Sequence, residues 1–371
     1  MISVRTPKRY YSEEGALQIA GGAIAELGKH ALIVGGRTAL SLTLKELLPS
    51  LNAAGVSYVT DTYGGECTSA AILAYTKLVG EIGADVIVGV GGGRILDIIK
   101  AAAEDSGISA VTIPTIPATC AAWSALSIIY DEQGRYIVPR PLKSAPELVL
   151  ADLSILVAAP SRYLKSGIAD TLVKWYENAP HAAGARGDIS LSIALRIAGL
   201  ALDLLQEQGI QAAKDARSGQ VTAAFRETVD AIIILAGLTG SITQGNSHAA
   251  VAHAVHNSLT ALQATHGSLH GEKVIFGLLV QFVLEGKPEQ QIHELITLLL
   301  ALDLPVTLGR LGISLDASAV AGVIARGVDI DPDTLSFAVD AKLIEEAIIV
   351  ADRYGNTRLA GSLAIPAGEA E

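Results

Sequence analysis

The sequence predicts an α/β domain built on a mostly parallel sheet, followed by a domain made only of helices. Three observations support this fold class. The chain has 371 residues, which is too long for one ordinary core. About the first 150 residues alternate short runs rich in valine and isoleucine with amphipathic segments, whereas the pattern after residue 160 is almost entirely helical. We therefore predict two domains, 1–159 and 160–371.

The predicted strands of the first domain are compact apolar runs, and the predicted helices lie between them. Strand–helix–strand alternation at this pitch predicts right-handed βαβ units and a mostly parallel sheet. We place strands at 31–36 (ALIVGG), 57–61 (SYVTD), 85–90 (DVIVGV), 110–114 (AVTIP) and 148–152 (LVLAD), and helices at 38–52, 68–82 and 94–106.

In the second domain, apolar residues recur three or four positions apart, which is typical of helices that bury one face. Segments such as SIALRIAGLALDLLQ and QQIHELITLLLALDL follow this spacing. Aromatic residues make up only 4% of the chain, so alanine, valine, leucine and isoleucine must fill the core. We expect a ligand site in the cleft between the domains, at the carboxyl ends of the strands.

Composition argues against several classes of partner. The formal net charge is −11, whereas nucleic acids and anionic membranes are bound by basic surfaces. The N-terminus lacks the apolar stretch of a signal peptide, and the chain lacks a run of about 18 apolar residues. We therefore expect neither a signal peptide nor a membrane span. Cys67 and Cys120 are too few for a disulfide framework, which favours a cytoplasmic location. The expected partner is a small molecule.

A glycine-rich turn follows the third predicted strand, in GVGGGRILD at 89–97. Three successive glycines, Gly91–Gly93, allow the backbone to approach a phosphate, and the helix that begins near Arg94 points its amides at that anion. The alternative is a turn that needs glycine only for steric reasons. For Asp97, the alternative to a functional role is a solvated or capping residue.

Five of the eight histidines fall between residues 248 and 270. His253 and His256 share one face of an alanine-rich helix, and His270 begins the next segment. Neutral imidazoles on two adjacent helices, with a carboxylate from elsewhere, form a three-ligand site of the kind that holds a catalytic ion. The alternative is a set of hydrogen-bonded core histidines.

Taken together, these segments resemble the iron-containing alcohol dehydrogenase superfamily, in its glycerol dehydrogenase-like group. That group reads approximately GVGGGKxLDTAKA, PTIAST/C, AGxGDxLAxWYEA, AAHAxHNGLT and HGEKVAxGxLVQ. The matches occur in the same order and are spread over most of the chain. They are GVGGGRILDIIKA (89–101), PTIPATCAAWSALSIIY (114–130), KSGIADTLVKWYENA (165–179), VAHAVHNSLTAL (251–262) and LHGEKVIFGLLVQ (269–281).

The resemblance implies a dehydroquinate synthase-like fold, with a Rossmann-like dinucleotide-binding domain and an all-α metal-binding domain. It implies NAD or NADP and one divalent ion, zinc in preference to iron, nickel or manganese, held by Asp170, His253 and His270. It makes His256 a proton relay or a supporting residue. The cofactor would lie between two groups of residues: Gly91, Gly92, Gly93 and Asp97 on one side, and Thr115, Thr119, Leu126 and Tyr130 on the other.

Two departures from the group's pattern change the expected substrate and the expected nucleotide cofactor. Cys120 stands where glycerol dehydrogenases have an aspartate that meets the polyol, and TCAAW with ADTLVKWYE resembles the hydroxycarboxylate dehydrogenase branch. We therefore expect a 2-hydroxy or 2-oxo acid, with Cys120 and Trp123 at its pocket, although Trp123 has a core position as its alternative. Gly36 and Arg37 replace an acid that holds the adenosine ribose, which favours NADP(H) over NAD(H) unless Arg37 is an ordinary surface charge.

The predicted activity is metal-dependent oxidation of a small secondary alcohol, or the reverse reduction, by a homo-oligomer. Glycerol is the alternative substrate. A 3-dehydroquinate synthase-type lyase is a further alternative, but Asp170 stands in place of its glutamate and AHAVHN in place of GHxxGHAIE. A glycerol-1-phosphate dehydrogenase would need basic residues that bind the substrate phosphate, and no such residues can be placed in the sequence. A cofactor-binding protein without catalysis would not need the ligand residues.

Overall fold

The computed structural model describes residues 3–185, 187–242 and 250–363. A six-stranded sheet forms its first half, in the order β1-β8-β5-β4-β2-β3, and all of its strand pairs are parallel. Its strands are β1 (Arg9–Glu13), β2 (His30–Gly35), β3 (Ser57–Thr62), β4 (Val86–Gly91), β5 (Ser109–Pro114) and β8 (Leu148–Asp152). The five predicted strands and the parallel sheet are confirmed, with strand ends shifted by at most one residue.

Three strands were not predicted, and each has a local reason. The segment of β1, RYYSE, has no apolar run, and the strand forms only because it pairs with β8 at one edge of the sheet. The other two, β6 (Leu126–Tyr130) and β7 (Tyr136–Pro141), form a separate antiparallel hairpin. The sequence of β7, YIVPRP, contains two prolines, which weaken any strand prediction and suit an exposed hairpin.

Helices cover both faces of the sheet, and the regular elements in the described part of the second half are all helical. The first half contains α1 (Ala20–Ala25), α2 (Arg37–Ala53), α3 (Ser69–Ile82), α4 (Gly93–Ser106) and α5 (Leu153–Ala158). The second contains α6 (Ser161–Asn178), α7 (Ile189–Ser218), α8 (Ala223–Asp230), α9 (Ala236–Ile242), α10 (Val251–Leu259), α11 (His270–Leu284), α12 (Glu289–Ala301), α13 (Ala317–Arg326) and α14 (Ala341–Leu363).

Alternation along the buried strands explains why helices pack on both faces. In β2, Leu32 and Val34 belong to the core under α3 and α4, whereas Ala31 and Ile33 belong to the core under α1 and α2. Successive side chains of a strand point to opposite faces, so a fully apolar run needs cover on both sides. This is the physical reason that short Val- and Ile-rich runs predicted a parallel sheet.

The second half shares its core with the first. Its large apolar cluster includes Leu96, Val149 and Ala151 from the sheet half, alongside residues of α6, α10 and α11. The predicted boundary between residues 159 and 160 falls between α5 and α6.

Within the described residues, one helix, α7, is long and apolar enough to cross a membrane by length and composition. A single helix of this kind is weak evidence, because core helices pass the same test. In this structure α7 packs against α6, α8 and α9.

Helices α6 and α11 approach each other closely at Gly271. A Cβ at this position would lie 1.9 Å from the carbonyl oxygen of Ser166, and the Gly271 amide donates a hydrogen bond to the Ser166 hydroxyl at 3.1 Å. Because no side chain fits between the two backbones, the first turn of α11 is held against the middle of α6. This contact fixes the position of His270, the residue before Gly271.

We expect Gly271→Ala to lower the free energy of unfolding by about 1–3 kcal/mol, because the methyl group forces the two helices apart. Gly80→Ala is the matched control, since Gly80 lies inside α3 with no atom within 4 Å of the added Cβ. That control should be neutral or stabilising by up to about 1 kcal/mol. Urea denaturation followed by circular dichroism measures both, and equal effects of the two substitutions would contradict the packing argument.

Candidate active site

A cavity of 1370 Å³ lies between the carboxyl ends of the sheet strands and the helical half. Its walls come from the segments that follow β2, β4 and β5, and from α6, α10 and α11. The volume exceeds the range of about 300–1,000 Å³ that is usual for a single small ligand, so there is room for two. Except for Trp123, every residue that the sequence predicted for the site lines this cavity. His248, one of the clustered histidines, lies outside the described residues.

Three side chains converge at the helical end of the cavity. Asp170 Oδ1 lies 3.4 Å from His253 Nε2 and 3.4 Å from His270 Nε2. The three ligand atoms that these residues offer all lie within 4.8 Å of one another. They come from α6, α10 and the first residue of α11, so helix packing and not sequence proximity brings them together.

Glu177 orients His253 and was missed by the sequence analysis. Its carboxylate oxygens lie 2.9 and 2.8 Å from His253 Nδ1, which leaves Nε2 facing Asp170. Burial alone would raise the pKa of Glu177, but the adjacent imidazole lowers it, so the group is held as a carboxylate. The signal was present in the sequence: Glu177 lies two helical turns after Asp170, on the same face of α6.

Hydrogen bonds to its neighbours in turn orient His270. His270 Nδ1 lies 3.0 Å from His256 Nε2, and His256 Nδ1 lies 3.0 Å from Asn257 Oδ1. The amide oxygen can only accept, so His256 donates from Nδ1 and its Nε2 accepts from His270. Burial, reinforced by His270, lowers the pKa of His256 well below the ordinary histidine value, which keeps this ring neutral. His270 Nε2 is thereby left with its lone pair toward Asp170.

Lys174 is the second cavity residue that the sequence analysis missed. Its Nζ lies 3.2 Å from Asp170 Oδ1 and 3.2 Å from His253 Nε2, among the atoms of the candidate ion site. Burial alone would lower the pKa of Lys174, but the Asp170 carboxylate raises it above the ordinary lysine value. Burial would likewise raise the pKa of Asp170, but Lys174 and the histidines hold it well below its usual range.

The glycine turn lies at the sheet end of the cavity, where β4 meets α4. Gly91 has φ +153°, and a Cβ on Gly92 would lie 2.7 Å from the Ile116 side chain. Gly92 is the N-cap of α4 and has no side-chain cap, so the first amides of the helix are open to the cavity. This is the arrangement that accepts a phosphate.

Asp97 is neither solvated nor capping, so the alternative given above for this residue is wrong. It is buried, pairs with Lys100 Nζ at 2.9 Å and accepts the amide of Ile128 at 3.0 Å. Lys100 also donates to backbone carbonyls of the segment after β5, namely those of Ala121, Ser124 and Leu126. This pair therefore ties α4 to the segment that carries Cys120. No role for Lys100 was predicted from the sequence.

Trp123 does not form a wall of the cavity, and the prediction that it lies at the substrate pocket is wrong. Its side chain is buried in the core and makes an edge-to-face contact with Tyr10, with ring centroids 5.9 Å apart. The indole lies so close to Gly237 that a Cβ there would meet it at 2.4 Å. A short helical turn at Cys120–Ala122 precedes Trp123. Cys120, at the start of this turn, lines the cavity, whereas Trp123, just after it, packs inward. Burial raises the pKa of the Cys120 thiol.

On the sheet side of the cavity, after β2, Gly36 and Arg37 form the start of α2. Gly36 is the N-cap and offers no side-chain cap, and Arg37 is exposed. Arg37 lines the cavity, and within the described part of the chain no hydrogen bond or ion pair is found for it. A cation beside a helix N-terminus suits an anionic group.

Comparisons with known proteins agree with this arrangement. A family model, "Iron-containing alcohol dehydrogenase", matches residues 7–153. Glycolaldehyde reductase of Halobacterium salinarum is 33% identical over 364 residues, with 96% of this chain and 98% of that protein covered. Hydroxycarboxylate dehydrogenase A of Escherichia coli is 34% identical over 349 residues, with 90% and 94% covered.

The crystal structure of glycerol dehydrogenase from Schizosaccharomyces pombe has the same fold. It superposes with a TM-score of 0.87 at 26% identity, and the match covers 98% of this chain and 93% of that one. The aligned sequences and the shared architecture thus extend over both halves of the molecule. The chain belongs to the iron-containing alcohol dehydrogenase family, and it is an oxidoreductase.

Proposed function

We propose that this enzyme interconverts a small secondary alcohol and its ketone, with a nicotinamide cofactor and one divalent ion, and that it prefers a 2-hydroxy acid and the matching 2-oxo acid. The observation that carries the proposal is the convergence of Asp170 Oδ1, His253 Nε2 and His270 Nε2 in one cavity with the open amides of α4. The cavity has room for a dinucleotide along the sheet edge and a small substrate beside the three ligands.

The residues present fit a divalent ion. One carboxylate and two imidazoles, each imidazole oriented by a further hydrogen bond, are a donor set typical of a catalytic site that keeps open positions. The ammonium group of Lys174 lies among these atoms, which supports a site that accepts a cation. We propose zinc, because nitrogen and carboxylate donors in this number suit it; iron, nickel and manganese are the alternatives.

When bound, the ion supplies Lewis acidity toward the substrate oxygen and the nicotinamide supplies or accepts a hydride. The chain's own residues position both partners. Glu177 and His256 hold the two imidazoles in the tautomer that leaves Nε2 free, and the ordered segment at Cys120 forms part of the cavity wall. Because His256 lies behind His270 and stays neutral, we assign it a supporting role in preference to that of a proton relay.

The choice between a 2-oxo acid and glycerol depends on the wall of the cavity beside the three ligands. Cys120 offers an uncharged thiol there, so no acid in that position repels a substrate carboxylate or binds a polyol hydroxyl. Glycerol oxidation is the second candidate, and the glycerol dehydrogenase fold of the Schizosaccharomyces pombe enzyme favours it. The relative named for hydroxycarboxylates favours the first.

We also propose that the enzyme is cytoplasmic and forms homo-oligomers. Both cysteines are free, which suits a reducing compartment. Large apolar side chains are exposed along α7, at Ile189, Ile193 and Leu200, and a second copy of the chain would cover such a surface.

Glu177→Gln should weaken zinc binding about 10- to 100-fold, because the neutral amide orients His253 less strongly and lowers its basicity. Competition with a chromophoric chelator measures the dissociation constant. His270→Ala, which removes a ligand, should abolish binding and activity but leave the protein folded. Glu285→Gln is the matched control, since Glu285 is as buried but pairs with Lys287 away from the cavity. Equal zinc affinity in Glu177→Gln and wild type would contradict this role of Glu177.

For the substrate, we expect kcat/KM for 2-oxobutyrate reduction to exceed that for glycerol oxidation by at least about tenfold in the zinc-loaded enzyme. Absorbance of the reduced nicotinamide at about 340 nm reports both reactions. Glycerol turnover that clearly exceeds 2-oxobutyrate turnover would select the second candidate. If the protein binds zinc and cofactor but catalyses neither reaction, both substrates are wrong and the activity is another one of the family's.

For the cofactor, we propose that Arg37 binds the 2′-phosphate of NADP(H). Arg37→Asp should raise the KM for NADPH at least about tenfold and lower that for NADH, because the acid repels the phosphate and can accept bonds from the ribose hydroxyls. Lys45→Asp, the same charge change on the exposed face of α2, is the control. A wild-type preference for NADH would refute the NADP(H) proposal.

A further inference from the structure

We infer that Lys174 is the residue that binds the substrate carboxylate and so determines the charge of the substrate that this enzyme accepts. This inference rests on the proposed oxidoreductase function and names the group that recognises an anionic substrate. Three features of the structure carry it: the position of the ammonium group, the charge balance around it, and the freedom of its side chain to move.

Lys174 reaches the site from the same face of α6 as Asp170, one helical turn further along. Its Nζ lies 3.2 Å from two of the candidate ion's ligand atoms, Asp170 Oδ1 and His253 Nε2, and its side chain lines the cavity. In a 2-oxo acid the carboxylate is attached to the carbon that bears the reacting oxygen. A cation that recognises it must therefore lie close to the ion site, as Lys174 does.

The charges of the site favour one further anion. Among the groups in direct contact here, Asp170 and Glu177 are carboxylates, and Lys174 is an ammonium. With a divalent ion bound and both imidazoles neutral, the cluster is left with one positive charge in excess. A singly charged carboxylate compensates this excess, whereas a neutral polyol does not.

The lysine side chain can change partners when the ion binds. His253 Nε2 and the Asp170 carboxylate oxygen would be ligands of a bound ion, so the ammonium of Lys174 would lose both acceptors and be repelled. Its side chain is 20% exposed and the group has three rotatable donors on a flexible stem. The side chain of Lys174 can move into the cavity, whose wall also includes Cys120. A substrate carboxylate in the cavity supplies the acceptor that the ammonium has lost.

The test compares Lys174→Met and Lys174→Arg with wild type on two ketones of similar size, 2-oxobutyrate and the neutral 1-hydroxy-2-butanone. In the zinc-loaded enzyme with NADPH, Lys174→Met should raise the KM for 2-oxobutyrate about 10- to 100-fold, and that for the neutral ketone by less than about threefold. Lys174→Arg should recover part of the loss. Titration calorimetry with oxamate, an unreactive analogue, should show the same increase in Kd without any turnover.

Lys165→Met is the matched control, because Lys165 is a buried lysine on the same helix that pairs with Asp303 and does not line the cavity. It should leave both KM values and the oxamate Kd unchanged. Zinc affinity is measured in every variant and should not fall in Lys174→Met, since this substitution removes a cation that competes for the ligands.

The outcomes separate two failures. A wild-type enzyme that neither reduces 2-oxobutyrate nor binds oxamate overturns the anionic substrate and, with it, the role of Lys174. A wild-type enzyme that does both, with Lys174→Met unchanged or equally impaired on the two ketones, overturns only the assignment of Lys174. A loss of zinc affinity in Lys174→Met would instead make the lysine a structural partner of Asp170.

Discussion

One face of α6 carries the polar contacts on which the candidate site depends. Ser166 accepts the Gly271 amide that begins α11, and Asp170 faces both histidines. Lys174 contacts Asp170 and His253, and Glu177 holds the ring of His253. These side chains recur at helical spacing, so a single rigid element aligns them along the cavity wall. The approach of α11 at Gly271 then sets the distance between Asp170 and His270. Packing and chemistry are therefore not separate here: the same backbone contact that joins two helices also completes the ligand set.

The cavity joins two kinds of binding surface. Near the sheet, backbone amides at the start of α4 and α2 face the cavity without side-chain caps, which suits phosphate groups. Near the helices, side chains supply carboxylate and imidazole. The buried pair of Asp97 and Lys100 connects the two, because Lys100 holds the carbonyls of the segment between them. A buried charge pair is costly unless its remaining hydrogen bonds are made, and here the backbone supplies them.

Much of the fold and of the site could be predicted because the responsible patterns are local. Runs such as ALIVGG and DVIVGV predict buried parallel strands from local composition, and here both form them. Ordered motifs located Asp170, His253 and His270. What could not be predicted depends on packing. RYYSE becomes a strand only by pairing with β8. Trp123 points inward because neighbours that are distant in sequence surround it in the core. Lys100, Lys174 and Glu177 were missed because a lysine or glutamate on a helix is usually solvated, and only the folded chain shows which ones are not.

The hydrogen-bond chain from Asn257 through His256 to His270 has a direction, and that direction is set by one amide group. When the amide oxygen of Asn257 faces His256, each of the two rings donates from Nδ1, away from the site, and His270 keeps a free lone pair on Nε2. If the amide rotated by half a turn, its NH₂ group would make His256 Nδ1 an acceptor, so both rings would exchange tautomers. His270 would then present a proton at Nε2 where a lone pair is needed. The capacity of the site to hold a cation thus depends on the orientation of a neutral side chain that touches neither the cation nor the substrate.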